Sequence, residues 1–147
     1  MCGIGGFVDY KRDARHYAAA AHSMQHALMP RGPDAAGEYQ DADAVLVHRR
    51  LIVIDPEGGA QPMHAPDGDT VLIYNGELYN TEEIRKDLLA RGHTFRGHSD
   101  TEVLLHAFLE WDTDAFARLN GIFACAFWQP RARRLVLCRD RLGVKPL

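Results

Sequence analysis

The sequence predicts an α+β domain built mainly on antiparallel sheet, and three observations carry that prediction. Short apolar runs bounded by turn residues alternate with longer segments at helical spacing. The segments come in the order strand, helix, two strands, two helices, two strands. Pro130-Arg131, between the last two runs, reads as the turn of an antiparallel hairpin. The chain has 147 residues, which favours one domain and is long enough to bury a core without staples.

Each element has a local reason. Gly3 to Val8 reads as a short strand close to the start of the sequence. Ala14 to Met29 carries Ala18, Ala21, Met24 and Leu28 at helical spacing, and Pro30 stops the pattern. The turn cluster Arg31-Gly32-Pro33-Asp34 follows. Val45-Leu46-Val47 and Val71-Leu72-Ile73-Tyr74 are apolar or β-branched runs and read as strands. Asn80 with Glu83 resembles a capping box for a helix with Ile84, Leu88 and Leu89 on one face and Gly92 as terminator. Ser99 with Glu102 is a second such box, ahead of a buried stripe of Val103, Ala107 and Phe108. Ile122 to Trp128 and Leu135 to Cys138 complete the set.

Composition removes several function classes. Charged residues make up 25% and hydrophobic residues 46%, values typical of a globular domain rather than a disordered or repetitive chain. The net charge of −3 lacks the basic footprint of a nucleic-acid binder, and no apolar run approaches a membrane span. The N-terminal residues carry no signal-peptide pattern. Three widely spaced cysteines form neither a disulfide framework nor a zinc motif, so the expectation is a reduced, cytoplasmic chain without a metal.

Cys2 is the most informative single residue. Aminopeptidase removal of Met1 would leave it with a free α-amine, whose pKa of about 7.7–8.0 suits a general base near neutrality. One residue then holds both nucleophile and base, as in terminal-amine activation. Asn75 and Gly76 stand where the sequence places the end of a strand; they could face a ligand as oxyanion donors, or simply make an Asn-Gly turn. Arg50 could hold a carboxylate bidentately or be a solvated strand-end arginine. Asp100, in the first turn of a capped helix, could bind an ammonium group or merely favour the helix. His22 and His26 stand four apart, but without a carboxylate partner they read as a solvated helix face. Cys125 and Cys138 read as inert buried thiols, Trp111 and Trp128 as core, and Arg131, Arg133 and Arg134 as solvated surface.

Six ordered blocks carry a family resemblance: Cys2-Gly3-Ile4-Gly5-Gly6, Arg31-Gly32-Pro33-Asp34, His48-Arg49-Arg50-Leu51, Tyr74-Asn75-Gly76-Glu77-Leu78-Tyr79-Asn80, Ser99-Asp100-Thr101-Glu102-Val103, and Arg139-Asp140-Arg141-Leu142-Gly143-Val144-Lys145-Pro146. Together they resemble the class II glutamine amidotransferase domain, of the glutamine-hydrolysing asparagine synthetase type. The likeness runs the length of the chain, 1–147. It implies an N-terminal-nucleophile αββα four-layer sandwich with two antiparallel sheets. It implies Cys2 as nucleophile, Asn75 and Gly76 as the oxyanion hole, and Arg50 on the α-carboxylate of glutamine. Asp100 and Glu77 would take the substrate's amino end, and the backbone of Leu51, Ile52 and Val53 would line the pocket.

The activity implied is hydrolysis of glutamine to glutamate, with ammonia passed to a synthetase domain that converts aspartate to asparagine. No cofactor is expected for this domain; ATP and magnesium would belong to the synthetase domain, whose phosphate loop does not occur in these residues. The partners implied are glutamine and a synthetase domain in cis or in trans, with neither nucleic acid nor membrane, and a homodimer as the assembly. Two departures stand out. Ile52 replaces the family's small hydroxyl residue, and the family's domain runs on past the position of Leu147, so the sandwich is expected to be truncated at its C-terminus with sheet edges exposed. Alternatives are the front end of another amidotransferase with a different acceptor, or an inactive fragment or interaction module.

Overall fold

A computed structural model describes residues 2–52 and 58–147. Strand β1 (Gly3–Val8) leads through a 3-10 turn into helix α1 (Ala18–Leu28), then β2 (Ala35–Gln40), β3 (Ala44–Arg50), β4 (Met63–His64) and β5 (Val71–Leu78). Helices α2 (Thr81–Ala90), α3 (Asp100–Trp111) and the short α4 (Ala115–Arg118) precede the hairpin β6 (Gly121–Gln129) and β7 (Arg134–Arg139). Two antiparallel sheets result, with strand orders β1-β3-β2 and β4-β5-β6-β7.

The alternation of strand side chains sorts the apolar residues into three packed layers. Val45 and Val47 of β3 meet Ala21, Met24 and Leu28 of α1. Their neighbours Ala44 and Leu46 turn the other way and pack on Val71, Ile73, Ala126 and Trp128 of the second sheet. On that sheet's far face, Leu72, Tyr74, Leu78, Phe123, Cys125 and Phe127 meet Ile84, Leu88 and the buried side of α3. The order is helix, sheet, sheet, helix, the four-layer arrangement that the resemblance implies. Among the described residues no helix is long and apolar enough to cross a membrane.

Several local expectations need correction. Strand β5 does not end at Asn75-Gly76; it stays paired with β6 through Leu78, opposite Gly121. A Cβ on Gly76 would lie 2.4 Å from the Ile122 carbonyl oxygen, so the glycine answers to the close approach of β6 rather than to a turn. Strand β2 gave no apolar signal, because Ala-Ala-Gly-Glu-Tyr-Gln becomes a strand only through its pairing with β3. Asn80 makes no capping bond to α2; its side chain instead joins Arg118 and Asn120, and Leu89 is exposed. Ser99 does cap α3 by accepting from the Glu102 N–H, but the Glu102 carboxylate turns to the N–H groups of Arg96 and Gly97. Gly92, at φ +93°, ends α2 as the sequence suggested. Cys125 is buried, whereas Cys138 is only half-buried. Trp128 is core; Trp111 is half-buried and faces Arg91 and Arg118. The three hairpin arginines lie at the surface as the sequence suggested, where Arg131, Arg133 and Arg134 pair with Asp69, Asp43 and Asp112.

Candidate active site

A cavity of about 190 Å³ opens where the ends of β1 and β3 meet β5 and the start of α3. Cys2, Arg50, Leu51, Asn75, Gly76, Glu77 and Asp100 all line it. Residues almost a hundred positions apart in sequence are brought together by the antiparallel pairing of β1 with β3 and the packing of one sheet on the other.

The Cys2 end is held by polar contacts. The Cys2 Sγ lies 3.8 Å from the Leu51 carbonyl oxygen, and Arg31 Nε donates to the Cys2 carbonyl at 3.2 Å. Arg49 donates to the carbonyls of Gly32 and Pro33, and the Asp34 N–H donates to the Arg50 carbonyl at 3.0 Å. Asp34 Oδ2 then accepts from the Ile52 N–H at 2.8 Å. The Arg31-to-Asp34 turn is thereby fastened to the end of β3 that carries Arg50. At 7% exposure, Arg50 is not a solvated strand-end residue.

The opposite end is built on the free edge of β5. Strand β4 covers only Val71 and Leu72 of that edge. Beyond them, the Tyr74 N–H donates to Gln61 Oε1 at 2.6 Å and the Leu78 N–H donates to Asp100 Oδ2 at 3.2 Å. Strand backbone groups alternate in direction with a period of two residues, so the Gly76 N–H, midway between these, projects from the same edge toward the cavity. Asn75 is buried and its side chain shares the inter-sheet side with Val71 and Ile73. Asp100 opens α3 and also accepts from the Tyr74 hydroxyl at 2.7 Å. Glu77 is exposed at the rim.

Three further groups frame the cavity. His48 is buried between the sheets with Nε2 3.3 Å from the Tyr74 carbonyl; burial pulls its pKa down to about 4, so it is neutral and donates there. Asp140 is also buried. Burial alone would raise its pKa, but N–H donors from Lys145, Val144, Phe123 and Leu142 outweigh it and bring the value to about 2. That carboxylate folds residues 140–145 into a tight loop, which places the buried Lys145 in the cavity wall.

Of the residues named from sequence, Ile52 does not line the cavity: it is 39% exposed and its N–H is taken by Asp34. Val53 lies outside the described residues. Sequence reasoning gave no role to Gln61, Tyr74, Thr101 or Lys145, all of which line the cavity, nor to Arg31 and Asp34 behind it. Tyr74, Thr101 and Lys145 lie within the six ordered blocks, and that placement was their only signal; Gln61 had none. His22 and His26 stay on α1, and among the described residues no three metal-ligating side chains converge.

The fold and the sequence have counterparts. A glutamine phosphoribosylpyrophosphate amidotransferase from B. subtilis, solved with ADP and GMP, superposes on 99% of this chain and 38% of its own, at a TM-score of 0.71 and 19% identity. Asparagine synthetase (glutamine-hydrolyzing) 3 of Bacillus subtilis (strain 168) is 50% identical over 99% of this chain and 24% of its own length. A probable asparagine synthetase (glutamine-hydrolyzing) of Dictyostelium discoideum is 40% identical over 100% of this chain and 27% of its own. The chain thus spans about a quarter of the length of the curated relatives it matches. The sequence profile of the glutamine amidotransferase domain matches residues 1–147, and the chain belongs to that family.

Proposed function

We propose that this chain hydrolyses the side-chain amide of glutamine, with Cys2 as nucleophile, and supplies ammonia to an asparagine-forming synthetase domain. The observation that carries the reading is one cavity lined by Cys2, Arg50, Asn75, Gly76, Glu77 and Asp100, in a chain of the amidotransferase family.

The chemistry follows from that arrangement. With Met1 removed, the Cys2 α-amine takes the thiol proton and the sulfur attacks the amide carbon. The Asn75 side-chain amide and the Gly76 N–H meet the oxygen as it gains charge. The protonated α-amine delivers its proton to the leaving nitrogen; the C–N bond breaks, ammonia departs and a glutamyl thioester remains. Water, deprotonated by the same amine, cleaves the C–S bond to give glutamate and restores the thiol. Arg50 pairs with the substrate α-carboxylate, while Asp100 and Glu77 take the α-ammonium. Leu51 lines the pocket through its carbonyl beside the sulfur. These steps call on no cofactor. ATP and magnesium serve the synthetase reaction, which activates aspartate for the ammonia to attack.

The acceptor is read from relatives whose names specify glutamine-hydrolysing asparagine synthetases. The test is intact mass spectrometry before and after a diazo-ketone analogue of glutamine. Loss of Met1 and one adduct mapping to Cys2 are expected. Cys2→Ala should lose turnover and labelling with an unchanged circular dichroism spectrum. Appreciable glutaminase activity in Cys2→Ala overturns the assignment.

A further inference from the structure

We propose that Tyr74 is the positioning residue that aims Asp100 at the α-ammonium of the substrate and so makes that ammonium a determinant of specificity. The proposal rests on the glutamine reading above and deepens it.

Both donors to Asp100 end on the same oxygen. The Tyr74 hydroxyl reaches Oδ2 at 2.7 Å and the Leu78 N–H reaches it at 3.2 Å. Two donors on one oxygen restrain the carboxylate and leave the acceptor capacity of Oδ1 for a ligand; among the described residues no donor reaches Oδ1. The hydroxyl is itself held in place. The Tyr74 ring is only 2% exposed, its N–H is bound by Gln61 and its carbonyl by His48. Gln61 Nε2 in turn reaches Thr101 Oγ1 at 3.4 Å, so the side chain that holds the Tyr74 backbone also touches the residue after Asp100. Tyr74 is thereby tied to the edge of β5 and to the first turn of α3 together.

The protonation of the pair suits the role. Burial and then the Asp100 charge hold the Tyr74 phenol far above the ordinary tyrosine range, so at any working pH it donates and never competes as a base. The other carboxylate of the site, Glu77, is exposed at the rim, where solvent weakens its pairing. Asp100 is half-buried and oriented, and it is the one that can tell a substrate with an ammonium group from a substrate without it.

The discriminating experiment compares glutamine with 4-carbamoylbutanoate, which keeps the amide and the carboxylate but has hydrogen in place of the α-amino group. Kinetics with both substrates are measured for the chain as it stands, Tyr74→Phe, Asp100→Ala and the double variant. Tyr74→Phe should lower the ratio of kcat/KM for glutamine to that for 4-carbamoylbutanoate by about tenfold, through KM for glutamine rather than kcat. The ratio does not depend on how much of the variant is folded. In the Asp100→Ala background the same change should leave the ratio where Asp100→Ala put it, because Tyr74 acts through that carboxylate. Equal losses on both substrates, a loss confined to kcat, or an independent loss in the double variant overturns the proposal. Calorimetric titration with glutamine separates the two readings, with Cys2→Ala carried in both the parent and Tyr74→Phe so that glutamine binds without turnover. A parent chain that binds none removes the glutamine reading and this proposal with it. A parent that binds it as tightly as Tyr74→Phe does overturns the positioning role alone.

Discussion

The two halves of the sandwich hold their share of the site by different physical means. On the β4-β5-β6-β7 sheet, helix α3 is buried without a break from Thr101 to Phe108. Phe108 stacks on Phe127 with ring centroids 4.0 Å apart, and Phe116 lies 6.1 Å from both. On the β1-β3-β2 sheet, α1 buries only Ala21 fully, with Met24 and Leu28 half-covered. The Asp100 end of the cavity therefore sits on an apolar foundation. The Cys2 end depends on hydrogen bonds made by Arg31, Asp34 and Arg49, all at or near the surface. The larger apolar core and the polar anchoring of Cys2 are accordingly lodged in opposite halves, and each should be breakable without the other.

The largest effect tests the apolar half. Phe127→Ala removes the centre of the stacked cluster and should cost about 3–5 kcal/mol in urea denaturation. Met24→Ala, at the thin α1 layer, should cost about 1 kcal/mol, because that side chain is only partly withdrawn from water. Comparable losses from the two changes would show that the halves are equally packed and that the contrast drawn from burial is wrong.

How much of this was legible in the sequence follows the same division. Segments that carry their own apolar signal were readable: Val71 to Tyr74 is a continuous run because both faces of that strand are buried, and Ile84 with Leu88 marks the one buried face of a helix. Strand β2 was not, since its residues are held in place by β3 rather than by a preference of their own. The Asn75-Gly76 pair misled for a related reason: locally it favours a turn, and pairing with β6 overrides that preference. In the site, Cys2, Arg50, Asn75, Gly76, Glu77 and Asp100, which line the cavity, stood out once the ordered motifs were set together. The residues behind them did not. Asp34 and Gln61 act through hydrogen bonds to groups well separated in sequence, and no spacing in the sequence marks such a bond.

His48 spans the two halves, and pH tests that link. Its pKa is about 4 in the folded chain against an ordinary 6.5, mainly through burial. The unfolded chain therefore binds a proton that the folded chain refuses across that window. Stability is full above about pH 6.5 and declines as pH falls toward 4, by up to roughly 3 kcal/mol from this group. His106 is shifted in the same direction, so the measurement needs a reference. His48→Gln can keep a donor near the Tyr74 carbonyl without a titrating ring. Denaturation midpoints at pH 7 and pH 4.5 should differ less in this variant than in the parent. An undiminished pH dependence would mean that the junction of the two sheets does not depend on a neutral His48.

The smallest effect on stability is the sharpest test of the contrast. Asp34 is exposed, and its carboxylate makes one bond to the chain after β3, the 2.8 Å contact with the Ile52 N–H. In Asp34→Ala that N–H can turn to water, because Ile52 is itself exposed, and the Asp34 N–H still binds the Arg50 carbonyl. The loss in unfolding free energy should be about 0.5–1 kcal/mol. The segment that slackens nevertheless runs from Arg50 through Leu51, whose carbonyl faces the Cys2 sulfur. Reaction at that sulfur depends on placement to a fraction of an ångström, so labelling of Cys2 by the diazo-ketone analogue should slow by about tenfold. A small stability change with a large rate change places the geometry at Cys2 in the polar half alone. If Asp34→Ala instead loses several kcal/mol, the turn is part of the foundation. If it labels at the parent rate, the β1 backbone alone holds Cys2 and the turn is dispensable.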